Sequence, residues 1–168
     1  MSAPMLARAR EDGFPPDTPP DAPTGGRMGS RLRDRLIASL VALAGASLLG
    51  LAAWMEPESS GQGTHQQLGL QACGFLSLTG LPCATCGCTT SVALAADGRL
   101  GAAVLNQPFG AAVALALACL TLVCAYAAWR GLSLTPLLLW AARPGPVLIA
   151  LGVALVSWGY RLLLTLGV

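Results

Sequence analysis

Three long apolar stretches constrain the fold of this chain more than any other feature. They cover residues 36–55, 109–129 and 146–166, and Arg161 is the one charged residue within them. A helix rises about 1.5 Å per residue, so about 20 residues cross a hydrocarbon core of about 30 Å. The sequence therefore predicts an all-α membrane protein with three transmembrane helices and a Cys-rich loop with short helices between the first and second.

The composition agrees with a membrane location. Hydrophobic residues make up 54% of the 168 residues and charged residues only 11%, whereas soluble domains carry about 25% charged residues. The net charge is +2 and no run of basic residues suits a polyanion. We therefore expect the lipid bilayer as a partner, other membrane-protein subunits as candidate partners, and no nucleic acid.

The remaining segments divide the chain further. Residues 1–30 are rich in proline and are predicted to be a disordered tail, and residues 31–168 are predicted to be an integral membrane domain. Residues 56–107 form the predicted cysteine-motif loop with its short helices. Residues 132–142 are apolar but too short to span, so we predict that they lie at the membrane interface.

The arginines predict the orientation. Five arginines near helix ends fall on one side of the membrane and two on the other: Arg31, Arg33, Arg35, Arg130 and Arg143 against Arg99 and Arg161. The positive-inside rule then puts the N-terminus in the cytoplasm and the cysteine loop outside a bacterial cytoplasmic (inner) membrane, in an oxidising space. Arg161 is expected to extend to the lipid headgroups.

Small residues recur at every fourth position in two of the predicted spans. The first stripe is Ala42, Ala46 and Gly50, and the second is Gly110, Ala114 and Ala118. Such stripes let helix backbones approach closely in lipid. An Ala-rich chain also produces them by chance, so they are a weak indication of helix contacts.

Four cysteines lie within sixteen residues of the predicted loop: Cys73, Cys83, Cys86 and Cys88. Four thiolates suit a tetrahedral ion, with zinc as the candidate cofactor, although the spacing matches paired zinc knuckles only in part. Disulfides, unpaired thiols and thiol redox exchange stay open as alternatives, while the chain shows no βαβ pattern of a thioredoxin. We expect Cys119 and Cys124 to serve packing and His65 to be a solvated loop residue.

A short helix is predicted to follow the cluster. It is expected to cover residues 89–96, with the hydroxyl of Thr89 or Thr90 as the N-terminal cap, and to stop at Asp97-Gly98. The positive end of its dipole would favour thiolates at Cys86 and Cys88.

The motif from Cys73 through Cys83-x-x-Cys86-Gly87-x-Thr89 to Asn106 and Pro108 resembles the domain of unknown function 2752 family of small bacterial membrane proteins. The resemblance extends from about Cys73 to Trp129. This chain departs from the usual family pattern in Ala84-Thr85, Thr90, the inserted Gln107 and the extra Cys88. The resemblance implies the membrane architecture and the importance of Cys83 and Cys86, and it implies no reaction.

These observations favour an uncharacterised multi-pass membrane protein, an accessory or scaffold component with a Cys-stapled extracytoplasmic loop, rather than an enzyme. The chain has no Walker motif, no nucleophile elbow and a single histidine. The alternative is a thiol redox or metal-handling (Zn or Cu) membrane protein that acts through Cys83 and Cys86.

Overall fold

The computed structural model describes residues 24–167, and all regular structure in this range is helical. The elements in order are α1 (Thr24–Trp54), a 3₁₀ turn (Thr64–Leu68), α2 (Gly74–Thr79), α3 (Cys88–Ala96), α4 (Leu100–Asn106), α5 (Pro108–Arg130), α6 (Thr135–Ala141) and α7 (Pro144–Leu166). Residues 1–23, most of the predicted tail, lie outside the described residues. The rest of that segment, residues 24–30, is the first part of α1.

Three of the described helices are long and apolar enough to cross a membrane. They are Ser30–Trp54 within α1, Pro108–Arg130 and Pro144–Leu166. Pro108 and Pro144 occupy the first turn, where a missing backbone N–H costs no helical hydrogen bond. The predicted fold class, an all-helical membrane protein with a Cys-rich region and short helices between the first two spans, is confirmed.

Helices α1 and α5 make the most extensive contact of the described elements. They run antiparallel, since Arg35 near the start of α1 donates from Nε to the carbonyl oxygen of Ala128 near the end of α5, at 3.0 Å. Gly45 has no side chain where Thr121 approaches, and an added Cβ would collide with the Thr121 hydroxyl. Close approach at small residues is a main source of helix association in lipid.

The two predicted small-residue stripes differ in outcome. On α5, Gly110 and Ala114 are buried and Ala118 is half-buried, so this stripe is confirmed. On α1 the prediction is wrong, because Ala46 and Gly50 are exposed. From Ser30 to Trp54 of α1, where burial is described, the buried small residues are Ala38, Gly45 and Ala52. They recur every seven residues, which is about two helical turns. Because α1 contains many small residues, its sequence is compatible with more than one stripe of this kind.

Residues 56–107 form a compact unit at one end of the α1–α5 pair, which we call the cysteine cap. Helix α3 packs against both α1 and α5, and α4 packs back on α3. Leu94 of α3, Ala103 of α4 and Ala111 of α5 form the apolar core between these helices. Helix α3 ends as predicted, with Gly98 in the left-handed region (φ 78°) and the Arg99 N–H bonded to the Leu94 carbonyl at 2.8 Å.

Helix α7 contacts the rest of the described structure mainly at its C-terminal part. Its contact with α5 is small, and Ser157 and Arg161 are its buried residues. Helix α6 falls within the segment assigned to the interface, and its Leu138, Leu139 and Trp140 side chains are exposed. Its position at the membrane surface stays a prediction.

Candidate metal centre

The turn that carries Cys83, Cys86 and Cys88 is held by backbone hydrogen bonds and by a glycine. The Cys86 N–H bonds to the Cys83 carbonyl and the Cys88 N–H to the Thr85 carbonyl, each at 3.0 Å. Gly87 has φ 88°, and a Cβ there would lie 2.9 Å from the Gly61 carbonyl oxygen. Only glycine meets both requirements without strain.

Helix α3 begins one residue earlier than predicted. Gly87 precedes it and Cys88 is its first residue, and no side chain caps its N-terminus. Thr90 is instead buried and shares a 2.8 Å hydrogen bond with the hydroxyl of Thr64. The expectation that Thr89 or Thr90 caps the helix is therefore wrong, and Thr90 instead bonds the 3₁₀ turn to α3.

Three of the four predicted ligands come together. The Sγ atoms of Cys73, Cys83 and Cys86 all lie within 4.8 Å of one another, and those of Cys83 and Cys86 are 3.2 Å apart. In a tetrahedral site with metal–sulfur bonds of about 2.3 Å, two sulfurs are about 3.8 Å apart. Small shifts of these side chains therefore suffice to surround an ion.

Cys73 reaches the other two sulfurs through the short helix α2. It directly precedes α2, which ends at Gly80 with φ 72°. The chain then passes the buried Pro82 and enters the Cys83 turn. This explains how a cysteine nine residues upstream joins the Cys-x-x-Cys pair.

Cys88 lies outside the group of three. It is half-buried at the start of α3, and the side-chain amide of Gln107 donates to its Sγ at 3.7 Å. Burial raises the pKa of the Cys88 thiol above its usual value. His65 also lies outside the group, with Nε2 donating to the Gln71 carbonyl at 3.1 Å.

The paired cysteines differ in acidity. Burial raises the pKa of Cys83, but hydrogen bonds from the Thr85 hydroxyl, the Cys86 thiol and the Thr85 backbone outweigh it and bring the pKa to about 7. Burial and the neighbouring Cys83 sulfur raise the pKa of Cys86 to about 12. At pH 7 about half of the Cys83 thiols are therefore ionised, whereas Cys86 keeps its proton.

A cavity of about 560 Å³ opens beside the three sulfurs. All four cysteines of the cap line it, together with His65 and with polar side chains that include Gln62, Gln66 and Thr85. An ion held by three sulfurs would thus keep one side toward an accessible space, as an open coordination site requires.

Two polar residues that the sequence left without a role support this turn from below. Gln107 is fully buried, donates to the Ala84 carbonyl at 3.0 Å and accepts a hydrogen bond from the Ser157 hydroxyl. Asn106 donates to the Gly87 carbonyl at 3.1 Å and to the Ser91 hydroxyl at 2.9 Å. Two consecutive amides directly before an apolar span were the available signal, since such groups need partners near a membrane.

Arg161 is not placed as predicted. It is 7% exposed, and Nη1 donates to the backbone carbonyl of Asn106 at 3.1 Å. The expectation that it extends to the headgroups is wrong, because the side chain turns inward under the cysteine cap. Ser157, one turn before Arg161 on α7, was the available signal, since residues four apart share a helix face.

Three comparisons with known proteins bear on this site. Residues 73–121 match the model of a family described as "Protein of unknown function (DUF2752)". The resemblance predicted from the cysteine motif is thereby confirmed, over a segment that contains all four cysteines of the cap. No curated protein and no solved structure matches the chain.

Proposed function

We propose that this chain, in which residues 73–121 match a family of unknown function, is a membrane protein that binds a thiophilic d¹⁰ metal ion, Zn²⁺ or Cu⁺, through Cys73, Cys83 and Cys86. The observation that carries the proposal is the convergence of three sulfurs within 4.8 Å. A disulfide needs two sulfurs, whereas three thiolates match the ligand preference of soft ions.

The surroundings of the sulfurs suit an ion that is exchanged rather than one that is enclosed. Structural zinc sites have four protein ligands, whereas sites with three keep a position open. Here three sulfurs border a cavity of about 560 Å³. Cys88 is the fourth ligand predicted from the sequence, and its coordination of the ion stays a prediction. X-ray absorption tests it, because that method counts the sulfurs around a bound ion.

The test is metal content of the full chain, purified in detergent under anaerobic conditions with reductant and then loaded with Zn²⁺ or Cu⁺. We expect about one ion per chain, and loss of most of it in Cys73→Ser, Cys83→Ser and Cys86→Ser. The matched control is Cys119→Ser, an exposed cysteine of α5. Absence of bound metal in the wild type, or full retention in Cys83→Ser, would overturn the proposal.

The second candidate function is dithiol redox exchange by Cys83 and Cys86. It is favoured by their 3.2 Å separation and by a more exposed, more acidic Cys83 beside a buried Cys86. In this reaction the two thiols would give two electrons and two protons to a partner disulfide, which is reduced to two thiols. A reversible two-electron couple in metal-free protein, lost in Cys86→Ser, would support it.

The wider role that fits either chemistry is that of an accessory or scaffold component of a membrane assembly, as the sequence suggested. The cysteine cap would hold the exchangeable ion or the dithiol, and the exposed apolar faces of α6 and α7 would meet lipid or other subunits. Copurification of stoichiometric partner subunits after mild solubilisation of native membranes tests this role.

The cysteine cap is proposed to face the extracytoplasmic side of a bacterial inner membrane. Arg35 contacts the end of α5 while the cap lies at its beginning, so the basic start of α1 and the cap are at opposite ends of the bundle. The positive-inside rule then directs the cap outward. Labelling of Cys83 in intact, reduced cells by a membrane-impermeant maleimide is the expected result, and labelling only after lysis would contradict it.

A further inference from the structure

Arg161 is a buried cation without a counter-charge among the described residues. Its guanidinium binds the Asn106 backbone carbonyl and the Asn106 side-chain oxygen, at 3.1 and 3.4 Å, both of which are neutral groups. Its Nε is buried and has no hydrogen-bond partner. A buried charge is unfavourable unless an opposite charge compensates it, so this arginine points to an anionic neighbour.

The guanidinium lies directly below the turn of the candidate metal centre. A Cβ on Gly87 would be 3.4 Å from Arg161 Nη2, and Gly87 lies between Cys86 and Cys88. Asn106 bridges the two, since it accepts from Arg161 and donates to the Gly87 carbonyl at 3.1 Å. The absence of a side chain at Gly87 is what lets the cation approach the cysteine turn.

We propose that Arg161 supplies the counter-charge of the metal–thiolate centre and makes the site favour Cu⁺ over Zn²⁺. This inference rests on the proposed function. Three thiolates carry three negative charges, so the centre has a net charge of −2 with Cu⁺ and −1 with Zn²⁺. A fixed cation stabilises the more negative complex more strongly, because the Coulomb energy scales with charge.

The chain offers a variant set that separates charge from structure. Arg161→Gln removes the charge, and Arg161→Lys retains it. Tyr160→Phe is the matched control, because it removes a neighbouring α7 hydrogen bond, to the Leu105 carbonyl, and no charge.

The measurement is the affinity of the full-length protein in detergent for Cu⁺ and for Zn²⁺, each by competition with a chromophoric chelator under anaerobic conditions. We expect Arg161→Gln to lower the ratio of Cu⁺ to Zn²⁺ affinity by about tenfold, from one unit of charge at short range in a partly buried site. Arg161→Lys should restore most of it, and Tyr160→Phe should leave it unchanged.

Equal losses for both ions in Arg161→Gln would mean that the arginine is only structural and would overturn the inference. A reduced ratio of Cu⁺ to Zn²⁺ affinity in Arg161→Lys would also overturn the inference, because lysine retains the charge. This variant therefore tests the inference even if Arg161→Gln does not fold. Wild-type protein that binds neither ion would contradict the proposed function itself. If the wild type binds both ions but the ratio of Cu⁺ to Zn²⁺ affinity is unchanged in Arg161→Gln, only this inference is contradicted.

Discussion

The α1–α5 pair and helix α7 are held in place by different forces, although all three helices look alike as apolar stretches. The pair is joined by close contact of small residues such as Ala38, Gly45 and Ala114, which are buried. Helix α7 is joined to the cysteine cap and the start of α5 by hydrogen bonds in which Ser157 accepts from Phe109 while Trp158 and Arg161 donate. Its remaining surface is largely exposed.

The α1–α5 pair and α7 show two ways in which helices attach to each other in lipid, where no hydrophobic force draws helices together. Lipid is as apolar as leucine, so association depends on tight packing or on polar bonds. The pair uses packing, which makes a rigid support. Helix α7 uses polar bonds that end at backbone groups next to the candidate metal centre, such as the Pro82 carbonyl that accepts from the Trp158 indole at 3.0 Å.

The largest expected effect comes from filling the space between the packed pair and the cap. Gly110→Ala puts a Cβ 2.9 Å from Cys88 Cα, which is backbone and cannot rotate away. We expect a loss of about 3 kcal/mol in the free energy of unfolding in detergent, because overpacked sites must shift. Gly101→Ala in α4, where an added Cβ meets nothing within 4 Å, is the matched control. Equal stabilities of the two variants would show that α3 and α5 are not in tight contact.

The next effect tests the polar attachment of α7. Ser157 is buried, accepts from the Phe109 N–H at 3.1 Å and donates to Gln107. Ser157→Ala leaves both partners unsatisfied, so we expect a loss of about 2 kcal/mol in unfolding free energy. The exposed Ser133→Ala serves as control. An unchanged stability of Ser157→Ala would place the attachment of α7 elsewhere.

The third prediction compares two sulfurs of the cysteine cap, to which α7 is attached, in metal-free, reduced protein. Only the thiolate is alkylated, and the pKa of Cys83 is about 7. Its iodoacetamide rate should therefore rise about tenfold from pH 6 to pH 8, as the thiol ionises. Mass spectrometry should find Cys86 unmodified over this range, because its pKa is about 12. A flat rate between pH 6 and pH 8 would disprove the low pKa.

The smallest effect concerns the packed pair alone. Gly45→Ala meets the Thr121 hydroxyl, which can rotate, so we expect a loss of about 1 kcal/mol in unfolding free energy. Gly50→Ala is the control on the same helix, where an added Cβ meets nothing within 4 Å. Greater damage from Gly50→Ala would restore the stripe of Ala42, Ala46 and Gly50 that the sequence suggested.

Features that depend on local sequence could be predicted, and features that depend on facing helices could not. Apolar length located the three spans, and Gly98 marked the end of α3 because only a left-handed residue ends a helix in this way. The cysteine spacing indicated a cluster but not that Cys88 stays apart with Gln107. The spacing of Ser157 and Arg161 places both on one face of α7. It does not reveal that the Arg161 guanidinium bonds to the Asn106 carbonyl, because Asn106 lies on another helix.

The bond from Trp158 to the Pro82 carbonyl gives the protein an intrinsic optical reporter. The other tryptophans, Trp54, Trp129 and Trp140, are between 55% and 74% exposed, whereas Trp158 is partly buried and hydrogen-bonded one residue from Cys83. Indole emission responds to such a bond and to the polarity around the ring. We therefore expect binding at the sulfur cluster to shift the emission of Trp158, with the three exposed tryptophans as a constant background.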